Sequence, residues 1–166
     1  MRNVGKHLGA HASSLGLAHD EFDSFARSAF NRHYYAIFLS VRSFAKTYYP
    51  EERVKHNNLP DKLRGKILKD LKKALKQAEE LGVINSSDAK SKRSILTHSL
   101  SELANIVSET YRVRCIADYD PEVLVQLSGN SIILDRFRLA EFEYQLDECN
   151  KHTSIVFKIS KELSLL

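Results

Sequence analysis

The sequence has few cysteines and no long apolar run. Its two cysteines, Cys115 and Cys149, belong to no CxxC pair and no Cys/His cluster, which indicates neither a disulfide framework nor a zinc site. The first residues, MRNVGKHLGAHASSLGLAHDEF, carry small and polar side chains where a signal peptide needs a continuous apolar stretch. No later run is long enough to span a membrane. We therefore expect a cytoplasmic protein without a membrane segment.

Several common catalytic motifs are also absent. The chain has no Gly-rich phosphate loop, no GxSxG, no HExxH and no EF-hand pattern. Asp118, Asp120 and Glu122 could offer carboxylates to a hard divalent cation. Arg112 and Arg114 beside them disfavour that interpretation. We predict neither a metal nor a cofactor.

The composition is that of one folded domain. The 166 residues are 43% hydrophobic and 28% charged, which provides a core and argues against disorder. A net charge of +4 and a pI near 9.0 are compatible with RNA or DNA as a partner. Seven Lys or Arg residues lie between positions 62 and 76. They form either a solvated helix face or a surface that binds nucleic acid or an acidic partner.

Apolar residues recur at intervals of three and four, which predicts helices, and no stretch shows the alternation of a strand. We predict four main helices, at about 20–49, 60–82, 86–114 and 139–163. Residues 117–130 are expected to form turns and a short helix, and residues 1–18 a Gly-broken, mobile segment. The predicted fold class is all-α, an up-and-down bundle of four main helices plus short helical segments, in a single domain spanning 1–166.

The first long helix carries apolar side chains on two sides. Helical spacing predicts one buried face made of Phe22, Ala26, Phe30, Ile37, Val41 and Phe44. The face opposite Phe30 and Ile37 holds Arg32 among four further residues: Phe25, Tyr35, Ala36 and Leu39. An ordinary surface helix has one apolar stripe. We therefore expect this helix to be central in the bundle or to form a subunit interface. Arg32 would then be partly buried and would need a carboxylate or phosphate partner.

Two stretches resemble signatures of one family. Residues 29–38, AFNRHYYAIF, resemble the SRAYYAxF signature in the first long helix of a subgroup of HEPN domains. Residues 111–120, YRVRCIADYD, resemble the RxxADYD end of that subgroup's third helix, and His56 with Leu59 resembles its His-plus-aliphatic element. The sequence departs from the pattern at His33, where the family usually has a small residue, and in its long basic second helix.

The resemblance implies a fold and a function. HEPN domains are small helical bundles of prokaryotic defence and toxin–antitoxin systems, so it implies a HEPN-like bundle. It also implies a subunit of such a system that binds or acts on RNA, as a homodimer or with a cognate partner protein. A non-catalytic helical module that binds a protein or a nucleotide is the alternative.

The motif residues allow two interpretations. Arg32 and Arg114 are candidates to meet Asp118 or Asp120, because a buried guanidinium needs its donors satisfied and a carboxylate does so bidentately. Such a network could pin the 117–130 turn to the first helix, with tyrosines packed around it. Alternatively, these motif residues form a surface that binds RNA or a partner protein: Arg32, Tyr35, Arg112, Arg114, Asp118, Tyr119 and Asp120.

Many HEPN proteins are metal-independent ribonucleases with an Arg-x4–6-His motif, two copies of which meet across a dimer. A histidine can take the proton of a ribose 2′-hydroxyl, and an arginine can stabilise charge on the phosphate. Three pairs match, where roughly 1.4 are expected by chance: Arg2 with His7, Arg27 with His33, and Arg93 with His98.

Sequence context ranks these pairs. Arg2 and His7 lie in the segment expected to be mobile. Arg93 and His98 lie near a predicted helix start, where backbone N–H groups can help to hold a phosphate. That pair and the pair of Arg27 with His33 are the catalytic candidates. The subgroup often lacks the motif at its usual place, so a role without catalysis stays open.

Overall fold

Residues 1–163 are described in a computed structural model of the chain, and most of them are helical. The helices are α1 (Arg2–Leu15), α2 (Phe22–Tyr48), α3 (Leu59–Lys62), α4 (Leu68–Glu80), α5 (Ser86–Tyr119) and α6 (Leu139–Glu162), and a π-helical turn (Leu63–Ile67) joins α3 to α4. A small antiparallel sheet contains β1 (Val125–Ser128), β2 (Ser131–Leu134) and β3 (Phe137–Arg138) in that order. The predicted helical class is confirmed in this broad sense. Residues 164–166 of the predicted domain lie outside the described residues.

The chain divides into two compact units. The first combines Met1–Leu39 with Ser108–Glu148, and the second combines Ser40–Val107 with the residues from Cys149 onward. Because α2, α5 and α6 are long, each contributes one end to each unit. That the whole chain is one domain stays a prediction.

The predicted core face of α2 is confirmed. The helix ends at Tyr48, before Tyr49-Pro50, because a residue preceding proline disfavours helical geometry. All six apolar side chains of the predicted face are buried: Phe22, Ala26, Phe30, Ile37, Val41 and Phe44. The opposite face is only partly covered: Phe25, Tyr35 and Ala36 are half-buried, and Leu39 is 42% exposed. A helix buried on both sides within the chain is therefore not observed, although the Phe25 ring centroid lies 4.5 Å from that of His11 on α1. That the second face forms a subunit interface stays a prediction.

Residues 2–15 form a regular helix, so the expected Gly-broken segment is wrong. Gly5, Gly9 and Ala12 recur at helical spacing and are its buried residues. A Cβ at Gly5 would lie 2.8 Å from Nε2 of His33, and one at Gly9 would lie 2.6 Å from Cδ2 of Leu139. Each glycine costs the helix about 1 kcal/mol relative to alanine. In return, α1 approaches α2 and α6 more closely than any larger residue would allow.

The basic helix predicted at 60–82 is present as α3, the π-helical turn and α4. Its buried apolar residues include Leu63, Ile67, Leu71 and Leu75. Gly82, with φ of 71°, ends it as predicted. The Gly82 N–H donates to the Glu79 carbonyl at 3.0 Å and the Val83 N–H donates to the Ala78 carbonyl at 2.9 Å, which is the Schellman pattern.

The next helix, α5, is longer than predicted. Oδ1 of Asn85 accepts from the Asp88 N–H at 2.8 Å, so Asn85 caps the helix. At its other end α5 continues past Arg114 to Tyr119. Residues 117–119 therefore lie on the last turn of α5, whereas the sequence placed them in a separate segment of turns and a short helix.

The sheet lies where no strand was predicted. Gly129, with φ of 59°, and Asp135, with φ of 57°, each begin a two-residue turn between neighbouring strands. Glycine supplies positive φ without strain, and aspartate tolerates it. Val125, Ile132, Leu134 and Phe137 point into the core. Strands of four and two residues are too short to show a period of two. The available signal was the Gly-Asn pair between two apolar runs.

Candidate nucleic-acid interface

The two family-like stretches contact each other within the first unit. The amide of Asn31 on α2 donates to Oδ1 of Asp118 near the end of α5. One turn earlier on α5, Arg114 pairs with Asp118 at 2.6 Å, and its guanidinium lies 5.0 Å from the centre of the Tyr119 ring. The predicted contact between Arg114 and Asp118 is confirmed, and Asn31 attaches it to α2.

Arg27, and not Arg32, holds the turn that follows α5. The Arg27 side chain is only 12% exposed and donates to Asp23 at 2.6 Å. Its guanidinium also donates to five backbone carbonyl oxygens, those of Ile116, Ala117, Asp120, Pro121 and Val123. Arg32 is exposed, so the prediction that it is partly buried beside residues 118–120 is wrong. Arg27 and Asn31, four residues apart, share the face that meets this turn, and position 32 lies about 100° away from Asn31.

The remaining motif residues surround this network. Tyr34 is fully buried, and burial raises the pKa of its hydroxyl. Tyr35 is half-buried, with its ring centroid 5.3 Å from that of Tyr34. Arg112 and Asp120 are exposed, and Asp120 contributes its carbonyl rather than its carboxylate to Arg27. These contacts hold the turn after α5 against α2, as in the first of the two interpretations of the motif residues. That the same residues bind RNA or a partner protein stays a prediction.

Arg27 and His33 do not come together as a catalytic pair. Six residues on a helix separate them by about 9 Å along the axis and about 120° around it. His33 is 1% exposed, and neither ring nitrogen has a hydrogen-bond partner among the described residues. Burial lowers its pKa, with Glu143 acting weakly in the opposite direction. The Arg27 guanidinium is occupied by the turn.

The pair of Arg2 with His7 lies on α1, not in a segment without regular structure. Both terminal nitrogens of Arg2 donate hydrogen bonds to the carboxylate of Asp147, at 2.8 and 2.9 Å. This bidentate contact occupies the Arg2 guanidinium, so it is not directed to a phosphate beside the exposed His7.

Arg93 and His98 open onto one groove in the second unit, which we call the basic groove. It has a volume of about 570 Å³ and is also lined by Lys72 of α4, by Lys90 of α5 and by three hydroxyl side chains, Ser94, Thr97 and Ser101. These seven lining residues include no carboxylate, and Glu79, which does not line the groove, lies 4.0 Å from Nη2 of Arg93. Three cations, an imidazole and three hydroxyls suit a phosphate-containing ligand.

The predicted help of a helix N-terminus to Arg93 and His98 is wrong. Because α5 begins at Ser86, His98 lies twelve residues along it, which is about 18 Å from the free N–H groups of the helix start. A phosphate in the basic groove would therefore be held by side chains and not by a helix N-terminus.

His98 also borders a second cavity, which we call the histidine cleft. This cavity of about 650 Å³ lies between α5 and α6 and contains His152. The ring centroids of His98 and His152 are 5.6 Å apart, and the ring planes meet at 78°. Three isoleucines supply an apolar lining, namely Ile95, Ile155 and Ile159. The charged lining residues are Lys92, Lys151, Lys158 and Glu162, and Lys92 pairs with Glu162 at 2.5 Å.

Arg93 and His98 were identifiable in the sequence, whereas the residues around them were not. His152, which is 6% exposed, follows Cys149 by three positions, and this helical spacing from an apolar residue indicated only a core position. Its contact with His98 spans 54 residues of sequence, and only the packing of α6 beside α5 creates it. The available signal of a charged surface near His152 was Lys151, the preceding residue, with Lys158 six residues after His152.

Among residues 1–163, no group of three or more His, Cys, Asp or Glu side chains is placed to hold a metal ion. Within the same range, no helix combines the length and apolar character needed to cross a membrane. No family model, curated protein or solved structure matches the chain.

Proposed function

We propose that this chain binds RNA through the basic groove, as a HEPN-type subunit of a prokaryotic antiviral or toxin–antitoxin system. The observation that carries the proposal is the lining of the groove. Lys72, Lys90 and Arg93 face one space with His98 and three hydroxyls, and no carboxylate lines it. Lysine and arginine that replace counterions on a phosphate backbone are the main source of affinity for nucleic acid.

The distribution of charge supports the same conclusion. The basic groove and the histidine cleft together are lined by six Lys or Arg residues and one acidic residue, Glu162. The whole chain has 25 basic and 21 acidic residues. The rest of the chain, with 19 basic and 20 acidic residues, is thus close to neutral. The excess positive charge is concentrated around His98.

The HEPN assignment rests on the two signatures. The stretches 29–38 and 111–120, distant in sequence, lie on two helices that meet through Asn31, Asp118 and Arg27. A shared network of this kind explains why both signatures would occur in one protein. The proposal includes the up-and-down bundle of four main helices, a cytoplasmic location, and assembly as a homodimer or with a cognate defence protein.

A second candidate function is metal-independent RNA cleavage by Arg93 and His98. Both residues line the same groove, which favours this pair over Arg27 with His33 and Arg2 with His7. His98 would take the 2′-hydroxyl proton and Arg93 would stabilise the charge that develops on the phosphate. The carboxylate nearest to Arg93, Glu79, is far enough away at 4.0 Å to be displaced by a phosphate.

Two double variants of matched charge test RNA binding. Lys72→Gln with Lys90→Gln removes two cations of the basic groove, whereas Lys69→Gln with Lys73→Gln removes two exposed cations of α4 that do not line it. Affinity for a fluorescent single-stranded RNA is measured between 50 and 300 mM salt. We expect the groove variant to bind more weakly and to reduce the slope of log K against log salt by about 1.4, since each phosphate contact contributes about 0.7.

The control variant is expected to keep a slope close to that of the wild type. Equal losses in the two variants would show that binding follows net charge and not the groove. Absence of salt-dependent RNA binding would contradict the proposal and would favour the alternative of a helical module that binds a protein or a nucleotide.

A further inference from the structure

His98 and His152 place two imidazoles at one cavity within a single chain. They come from α5 and α6, and their ring centroids are 5.6 Å apart. His98 lines both the basic groove and the histidine cleft, whereas His152 lines the cleft alone. A ligand that runs from the groove into the cleft would therefore pass both imidazoles in succession.

The two cavities offer different chemistry to the two parts of a nucleotide. Ile95, Ile155 and Ile159 give the cleft an apolar lining suited to the flat face of a base. Lys151 and Lys158 also line the cleft and can meet the phosphate attached to that nucleotide. At about 650 Å³ the cleft has the volume of a small-ligand site. A base can enter it only when it is not paired in a duplex.

We propose that His98 and His152 are the acid–base pair of a single-chain site that cleaves single-stranded RNA; this inference rests on the proposed RNA-binding function and assigns the substrate class and a second catalytic residue. RNA cleavage without a metal needs two proton transfers. One group must accept the proton of the attacking hydroxyl, and another must donate a proton to the leaving oxygen. A single histidine paired with an arginine supplies only one of these.

The reaction balances with these groups alone. One imidazole removes the proton from the 2′-hydroxyl, and O2′ forms a bond to phosphorus. The bond between phosphorus and the O5′ of the next nucleotide breaks, and the second imidazole, in its protonated form, donates a proton to O5′. The products are a 2′,3′-cyclic phosphate and a 5′-hydroxyl. Arg93 and the lysines stabilise the charge on the non-bridging oxygens. Both reacting oxygens are attached to one phosphorus, so the two imidazoles must lie near the same phosphate, and their ring centroids are 5.6 Å apart.

The test follows cleavage of a labelled single-stranded RNA in EDTA by the full chain. His98→Gln and His152→Gln replace each ring with an amide that keeps polarity but cannot transfer a proton near neutral pH. His7→Ala, an exposed histidine on α1, is the matched control. We expect each glutamine variant to lose 10²-fold or more of the rate, in line with the contribution of one proton-transfer group, and His7→Ala to keep it.

Further readouts separate catalysis from a structural role of His152. Mass spectrometry should identify the cyclic phosphate, and a 2′-deoxynucleotide at the cleavage position should block the reaction without preventing binding. The wild-type rate should show a bell-shaped dependence on pH, with one side set by the base and the other by the acid. Any residual rate of each variant should keep only one of these two sides. Far-UV circular dichroism and RNA affinity should be unchanged in His152→Gln. A lost rate with a lower melting temperature or weaker RNA binding would contradict the proposal.

A mixing experiment tests the single-chain arrangement. If both histidines serve one site within a chain, a mixture of His98→Gln and His152→Gln remains inactive. Recovery of activity in the mixture would show that two chains share the site and would overturn this part of the inference. Faster cleavage of a duplex than of a single strand would overturn the assignment of substrate.

The outcomes distinguish this inference from the proposed function. RNA that binds to the basic groove with the expected salt dependence but is not cleaved leaves the proposed function intact and overturns the acid–base pair. Cleavage that needs His98 but survives His152→Gln also overturns it. RNA that neither binds nor is cleaved contradicts both.

Discussion

Replacing Arg27 by methionine should destabilise the protein by about 3 kcal/mol. Methionine keeps the unbranched stem of the side chain but has no donor for the turn after α5. The carbonyl oxygens of Ile116, Ala117 and Val123 are partly buried where they meet Arg27, whereas those of Asp120 and Pro121 are exposed. Water can replace the guanidinium at the two exposed carbonyls but not easily at the other three.

The magnitude follows from the carbonyls of Ala117 and Val123, because the Ile116 carbonyl keeps the N–H of Asp120 as a donor at 3.1 Å. A buried acceptor left without a donor costs about 1–3 kcal/mol. Taking about 1.5 kcal/mol for each of the two, towards the low end of that range because the site is only partly buried, gives about 3 kcal/mol. We assign no additional loss to the ion pair with Asp23, whose side chain is 50% exposed, since such pairs contribute little. In a chain of this size a loss of about 3 kcal/mol lowers the melting temperature by about 6–12 °C.

The assay is urea unfolding followed by far-UV circular dichroism, with linear extrapolation of the unfolding free energy. Arg32→Met is the matched control, because it makes the same change five residues away on α2 at an exposed position. We expect it to lie within about 0.5 kcal/mol of the wild type. Arg27→Lys should recover little, since one ammonium cannot reach as many acceptors as a guanidinium.

Two results would refute this reasoning. An Arg27→Met variant as stable as the wild type would mean that the carbonyls find other donors or that water reaches all of them. Equal destabilisation by Arg32→Met would mean that the loss comes from charge or helix propensity. In either case the turn would not depend on Arg27.

Four further predictions concern packing and pH. Burial lowers the pKa of His33, so below pH 6.5 the unfolded chain binds a proton more readily than the folded chain. The contribution of His33 to stability is therefore complete above pH 6.5 and is lost as the pH falls from 6.5 through the folded-state pKa. His33→Met should remove this dependence when unfolding is measured as a function of pH. Gly5→Ala places a Cβ 2.7 Å from the His33 ring and should cost about 1–3 kcal/mol in urea unfolding. Gly65→Ala, with nothing within 4 Å, should instead gain about 0.5–1 kcal/mol. Gly82→Ala, at φ of 71°, should lower the melting temperature through a loss of about 1 kcal/mol.

Local physics made much of the helical structure predictable. The spacing of Phe22, Ala26 and Phe30 identified the buried face of α2, and the glycine at 82 identified the end of the basic helix. These features depend on residues within a few positions of one another. The contact between Arg114 and Asp118 was predictable for the same reason, because residues four apart on a helix are neighbours.

Errors arose where distant segments decide the outcome. Gly5 and Gly9 indicate a break when α1 is considered alone, and only the positions of His33 and Leu139 show why a helix can use them. The choice of Arg27 over Arg32 depends on which residues of α2 face the end of α5. From the sequence alone, Arg27 and Arg32 look equally able to bind a carboxylate.

The sequence by itself determined that the chain is mostly helical, that its positive charge is uneven, and that Arg93 and His98 are candidates for phosphate chemistry. Tertiary structure separated the side chains of one Arg–His pair, because it buries His33 and directs Arg27 to backbone carbonyls. It also brought His152 to within 5.6 Å of His98. Helix formation depends on short-range spacing, whereas a site made from three helices depends on how they pack.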